Sequence, residues 1–170
     1  MDAVKHKLTQ NQEIFFDNMS RYIDEELYFY GSIKRSDYIK GKSDIDIDIF
    51  TENEYSTIQK LCHFLNVKRY EFKKVIYKTN NTLVYGHKIK YNNPEKQIDA
   101  EISVYNNKYK SLVLYDHNNE SHLPLYITIV LYIVKFLHYN LGILSSFYYK
   151  RCKRFLMNPD DEQRFILMDG

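Results

Sequence analysis

Ser43-Asp44-Ile45-Asp46-Ile47-Asp48-Ile49-Phe50 alternates without a break, aspartates on one parity and isoleucines on the other. Successive side chains of a strand point to opposite faces. A strand over Asp44 to Phe50 therefore buries Ile45, Ile47 and Ile49 and lines up three carboxylates along its other side. Like charges at this spacing repel, and cations make the arrangement favourable. Oxygen-only ligands suit Mg²⁺, and two such ions ~3.5–4 Å apart can clamp an in-line phosphoryl displacement. Taken alone, the strand reads equally well as a solvated acidic face.

The flanking sequence tips that balance. Leu27-Tyr28-Phe29-Tyr30 reads as a strand running into Gly31-Ser32, with eleven residues between Ser32 and Asp44. Glycine lets the backbone approach a phosphate, and the amides of the following turn, with the serine hydroxyl, can bind its oxygens. Downstream, Gln97-Ile98-Asp99-Ala100-Glu101-Ile102 is another strand-like stretch with both acids on one face. A carboxylate brought from there to the first pair can accept a proton from an attacking hydroxyl or complete a metal site.

Gly31-Ser32, the spacer and Asp44-Ile45-Asp46-Ile47 together resemble the signature of the polymerase β-like nucleotidyltransferase superfamily, over about residues 26–105. The resemblance implies an α+β fold, a palm-like mixed sheet flanked by helices. It also implies an enzyme that moves NMP from an NTP to an acceptor hydroxyl, releases pyrophosphate and uses Mg²⁺ or Mn²⁺. On this likeness Asp44 and Asp46 hold both metals, while Asp99 holds the catalytic one and helps deprotonate the acceptor. Gly31 and Ser32 take the β- and γ-phosphates. Two alternatives stay open: Asp46-Ile47-Asp48 also fits the spacing, which makes Asp48 a ligand or outer neighbour, and Glu101 shares a face with Asp99. Ser43 before the pair favours Asp44 and Asp46. Tyr132-Ile133-Val134-Lys135-Phe136-Leu137 resembles a helix of terminal-transferase-type poly(A) polymerases and oligoadenylate synthetases whose lysine meets the triphosphate. The competing view of Lys135 is a rim residue snorkelling from an apolar helix.

Around this centre the pattern predicts helices over Asn11–Asp24, residues 53–66, Leu125–Tyr139 and Ile143–Phe155. It predicts strands over Phe72–Lys78, Thr82–Tyr91 and Gln97–Tyr105, with Asn80-Asn81 and Asn92-Asn93-Pro94 as turns. Asp116-His117-Asn118-Asn119-Glu120 reads as a polar break. The chain thus divides into a catalytic core over residues 1–115 and a C-terminal helical segment over 116–170.

A length of 170 residues suits one domain with an appendage, and 16% aromatic residues argue against disorder. Two cysteines, Cys62 and Cys152, are too few for a disulfide scaffold and point to a reducing, cytoplasmic setting. No apolar run reaches the ~20 residues of a membrane span. A net charge of +2 neither demands nor forbids nucleic acid. Gly41-Lys42-Ser43 lacks the first glycine and the following helix of a P-loop. Asp44, Asp46 and Asp48 lack the glycine and closing glutamate of an EF-hand. His117 and His122, with no cysteine near, make a poor zinc site.

The acceptor expected first is an RNA 3′ end, because the C-terminal helices resemble those of terminal transferases. The Tyr148–Phe155 run mixes stacking and phosphate-binding residue types. Alternatives are a protein or tRNA target of the toxin type, an oligonucleotide product, a DNA-repair polymerase, or an inactive binding subunit. Richness in Tyr, Asn, Ile and Lys suggests an AT-rich genome, such as a viral one.

Overall fold

The computed structural model describes residues 2–79, 82–120, 123–157 and 165–168. Thr9 starts the first long helix, α1 (Gln10–Ile23): its hydroxyl accepts from the Gln12 N–H while the Gln12 side chain accepts from the Thr9 N–H. This reciprocal cap satisfies two donors that a helix start leaves bare. Asn53 caps α2 (Glu54–Leu65) through Ser56 N–H at 3.1 Å. Asp24 and Asn66 end the two helices in the left-handed conformation.

The strands are β1 (Leu27–Tyr30), β2 (Ile45–Thr51), β3 (Lys73–Thr79), β4 (Thr82–Asn93), β5 (Ile98–Asn106) and β6 (Phe165–Met168). They form one mixed sheet in the order β1-β2-β5-β4-β3-β6, with β2 and β5 parallel and the other described pairs antiparallel. Ile45, Ile47 and Ile49 are fully buried with Ala100, Ile102 and Val104 of β5. Phe16, Met19, Ile23, Ile58 and Leu61 from α1 and α2 join the same core. Burying each large aliphatic side chain is worth roughly 1.5–3 kcal/mol, so the isoleucine parity fixes which face of β2 turns inward. The aspartate face is left for the opposite side of the sheet. Part of that side is covered by α3 (Lys110–Glu120), whose Val113 packs with Phe50, Val75, Tyr77, Val84 and Tyr105. Two further helices, α4 (Leu125–Tyr139) and α5 (Ser146–Met157), pack on each other.

Two elements differ from the expectation. Residues 110–120 form α3 and not a polar break, because an inward position of this helix is the polar His117, which hides the helical period. The C-terminal segment also returns a strand, β6, to the core sheet beside β3. The turn at Asn80-Asn81 and His122 lie outside the described residues.

Candidate active site

Tyr30, the last residue of β1, is the sheet partner of Asp46, and Asp46 is the partner of Glu101 on β5. Directly opposed residues share a face, so these three side chains stand together on the side away from α1 and α2. Gly31 follows with φ +67°, and an added Cβ would overlap Asp46 Oδ2 and stand 3.1 Å from its Cγ. A side chain here is excluded twice, by the backbone conformation and by the carboxylate. Ser32 is buried, and its Oγ has no hydrogen-bond partner among the described residues. A buried hydroxyl without a partner is costly, and its place in the turn directly after Gly31 leaves it free to donate to a ligand oxygen. Gly31→Ala is expected to displace Asp46 and lower nucleotide transfer at least ~100-fold, with near-native far-UV circular dichroism; both are measured on the purified variant.

Asp46 sits among acids. Burial pushes its pKa up to about 7, and the Asp44 and Glu101 charges add to the rise. Lys153 and Lys88 oppose it. Lys153, from α5, lies 3.9 Å from Asp44 Oδ2, and Lys88, from β4, lies 2.7 Å from Glu101 Oε1. Burial, then Asp44 and Asp46, also raise the Tyr38 hydroxyl well above its usual range. The crowded carboxylates therefore form a site that added positive charge stabilises. Among the described residues no group of three or more acids, histidines or cysteines is gathered tightly enough to hold a metal ion as it stands.

The other residues singled out by the sequence take distinct places. Asp48 is buried, with Oδ2 2.8 Å from His117 Nε2, and Tyr30 stacks on the His117 ring at 4.0 Å. It is an inner neighbour of the pair, turned to α3. Asp48→Asn is expected to cost ~1–3 kcal/mol of stability in chemical denaturation while keeping far more transfer activity than Asp46→Asn. Asp99 begins the same face of β5 two residues before Glu101, with Oδ1 4.0 Å from Lys90 Nζ. Of the two acids on β5, it is Glu101 that the register sets opposite Asp46.

Lys135 is 1% exposed, and its Nζ lies 2.8 Å from Asp37 Oδ2. Asp37 in turn accepts from Arg35 Nε at 2.8 Å. The lysine is therefore neither on a rim nor snorkelling; it fastens α4 to the loop between the Gly-Ser turn and β2. In the basic stretch of α5, Lys153 turns towards Asp44, while Tyr148 and Phe155 are exposed. Sequence reading missed Lys88 and Lys153 as partners of the acids. Nothing local marks them, since each meets its acid only through tertiary packing.

No described helix is long and apolar enough to cross a membrane. No curated protein matches the chain. A solved structure titled "Structural Basis for the Activity of a Cytoplasmic RNA Terminal U-transferase" aligns at 17% identity with a TM-score of 0.40, covering 82% of this chain and 46% of that one. The chain thus spans about half the length of that protein. Residues 13–136 match the family model of the nucleotidyltransferase domain, a stretch that takes in the Gly31-Ser32 turn, the aspartate strand and both acids of β5. With that match over more than half its length, the chain belongs to the nucleotidyltransferase domain family, within the polymerase β-like superfamily that its sequence resembles.

Proposed function

We propose that this chain transfers a nucleoside monophosphate from an NTP to an acceptor hydroxyl, with release of pyrophosphate, and that the acceptor is an RNA 3′ end. The observation that carries the reading is the meeting of Asp46 with Glu101 and Asp44 beside a glycine turn whose Ser32 hydroxyl has no partner among the described residues. The site's donors are carboxylate oxygens, which fit Mg²⁺ or Mn²⁺, and the raised pKa of Asp46 marks a need for positive charge. Asp44 and Asp46 would hold the ions, with Glu101 as the favoured third carboxylate and Asp99 as its alternate. Divalent ions bound there neutralise triphosphate charge and favour departure of pyrophosphate.

The chain's own groups do the rest. Gly31 keeps the turn free of a side chain so that phosphate oxygens can approach its backbone. Ser32 Oγ–H donates to a phosphate oxygen. The third carboxylate accepts the proton of the attacking hydroxyl as that oxygen closes on the α-phosphorus. Lys153 offers a positive charge at the mouth of the site, and Lys135 keeps the loop leading to Asp44 anchored. Such catalysis is chiefly positioning and charge neutralisation, so a small domain can supply it. The free thiols of Cys62 and Cys152 suit a reducing, intracellular setting.

The test is incubation of the purified chain with each α-labelled NTP, Mg²⁺ or Mn²⁺, and panels of RNA, DNA, tRNA and protein acceptors. Label extending the RNA 3′ end is the expected result. Label on protein alone, or none on any acceptor with either metal, overturns the reading.

A further inference from the structure

The face of the sheet that carries the acids does not end at β5. Glu101 is the sheet partner of Lys90 on β4, Ser103 is the partner of Lys88, and Lys88 is the partner of Lys73 on β3. Directly opposed residues share a face, so Lys73, Lys88 and Lys90 stand on the same side of the sheet as Asp46 and Glu101, one and two strands further across. At the other end of this face, α3 closes over Val75, Tyr77 and Val84. The lysine end is open. A cleft of about 510 Å³ runs there, lined by Tyr70, Glu71, Lys73, Lys88, Lys90 and Glu101.

Charge balance alone explains only part of this group. Glu101 is neutralised by Lys88 at 2.7 Å. Lys90 is 66% exposed and 4.0 Å from Asp99, and Lys73 is exposed on the neighbouring strand. Tyr70, 75% exposed, lines the rim and offers its aromatic ring to solvent. Lysines in a row with an exposed aromatic ring form the surface that single-stranded nucleic acids bind, phosphates on the ammonium groups and a base on the ring. The row starts at the carboxylate proposed to accept the hydroxyl proton. A strand lying along it would therefore present its terminal hydroxyl to the site.

We infer that Lys73, Lys88 and Lys90, with Tyr70, form the track that binds the acceptor, a single-stranded polynucleotide entering across β3 and β4 with its 3′ end at Glu101. This rests on the nucleotidyl-transfer reading and adds to it the surface that holds the acceptor and the path along which its 3′ end reaches the acids.

The test uses the full chain and the double variant Lys73→Ala/Lys90→Ala, which spares Lys88 and the acids. Fluorescence anisotropy follows binding of labelled single-stranded RNA and DNA oligonucleotides at several salt concentrations, and calorimetry follows binding of NTP with Mg²⁺. Each phosphate contact to a single strand contributes about 0.7 to the slope of log affinity against log salt, so loss of two contacts should flatten that slope by about 1.4. Oligonucleotide affinity should fall roughly tenfold or more near 0.1 M salt, with NTP affinity unchanged. Tyr70→Ala should weaken oligonucleotide binding with no change of slope, as stacking requires. The RNA and DNA arms show which sugar is preferred. If wild type binds oligonucleotide and the double variant binds it equally well with the same slope, the track is wrong while the transfer reading stands. If wild type binds NTP and labels a protein but binds no oligonucleotide, the polynucleotide acceptor is wrong. If wild type binds neither NTP nor oligonucleotide, both readings fall.

Discussion

Asp46→Asn should abolish nucleotide transfer, with a loss of at least ~1,000-fold in kcat and little change in fold. The variant keeps the size of the side chain and its partnership with Tyr30 and Glu101, and removes the charge at the centre of the acid group. A second readout has the opposite sign. Because the folded-state pKa of Asp46 is pushed up to about 7, the folded protein holds a proton that the unfolded chain releases near its ordinary value. Stability contributed at this position is therefore present at low pH and is lost as pH rises from ~4 to 7. Metal-free Asp46→Asn should melt at or above the wild-type temperature at pH 8, while being inactive there. Thermal melts at pH 5 and 8, beside a transfer assay, read both effects. Near-wild-type turnover in Asp46→Asn removes Asp46 from the site.

The largest loss of stability is expected from Asp37→Ala. Arg35, Asp37 and Lys135 form a buried group, with side-chain exposures of 6% and 0% for the first two and 1% for the lysine. Burial works against ionisation of Asp37, but the Arg35 and Lys135 contacts outweigh it and hold the carboxyl below its ordinary range. Its contribution is therefore present above its unfolded pKa and lost as acid protonates it, the reverse of Asp46. Removing the carboxylate leaves two cations without their shared partner, and breaking a buried pair from one side costs ~3–5 kcal/mol. In a chain of this size the melting temperature should fall by about 10 °C. Lys135→Met should cost less, because Asp37 keeps Arg35 at 2.8 Å. A melting temperature for Asp37→Ala within about 2 °C of wild type contradicts the clamp, given the ~2–4 °C shift per kcal/mol for chains of this length.

The parity of residues 44–50 carried most of what the sequence could tell. It set which face of β2 is buried, and with Gly31-Ser32 it placed the chain in its family. The helix over Leu125–Tyr139 was legible because its first ten residues, Leu125 to Val134, are apolar apart from Thr128, and a proline precedes it. What stayed hidden depended on register and on partners distant in the chain. Asp99 and Glu101 share a parity, so only the pairing of Ile45 with Ala100 reveals which acid stands opposite Asp46. Asp48 looks like Asp44 and Asp46 in the string, and its difference arises from His117, a polar residue at an inward position of a helix whose polar second half concealed it. Lys135 was marked as a functional cation by likeness of its helix, but its environment depends on Asp37, far away in sequence.

The central claim is that the Gly31-Ser32 turn and the acids beside it form a metal-dependent triphosphate site. Calorimetric titration of ATP and AMP, with Mg²⁺ and with EDTA, into wild type, Ser32→Ala and Asp46→Asn tests it most directly. Wild type should bind ATP with Mg²⁺ and lose most of that affinity in EDTA. Ser32→Ala should weaken ATP by roughly tenfold, the worth of one hydrogen bond to a charged group, and leave AMP unchanged. Asp46→Asn should make ATP binding insensitive to Mg²⁺. ATP affinity equal in all three proteins, with and without the metal, contradicts the account.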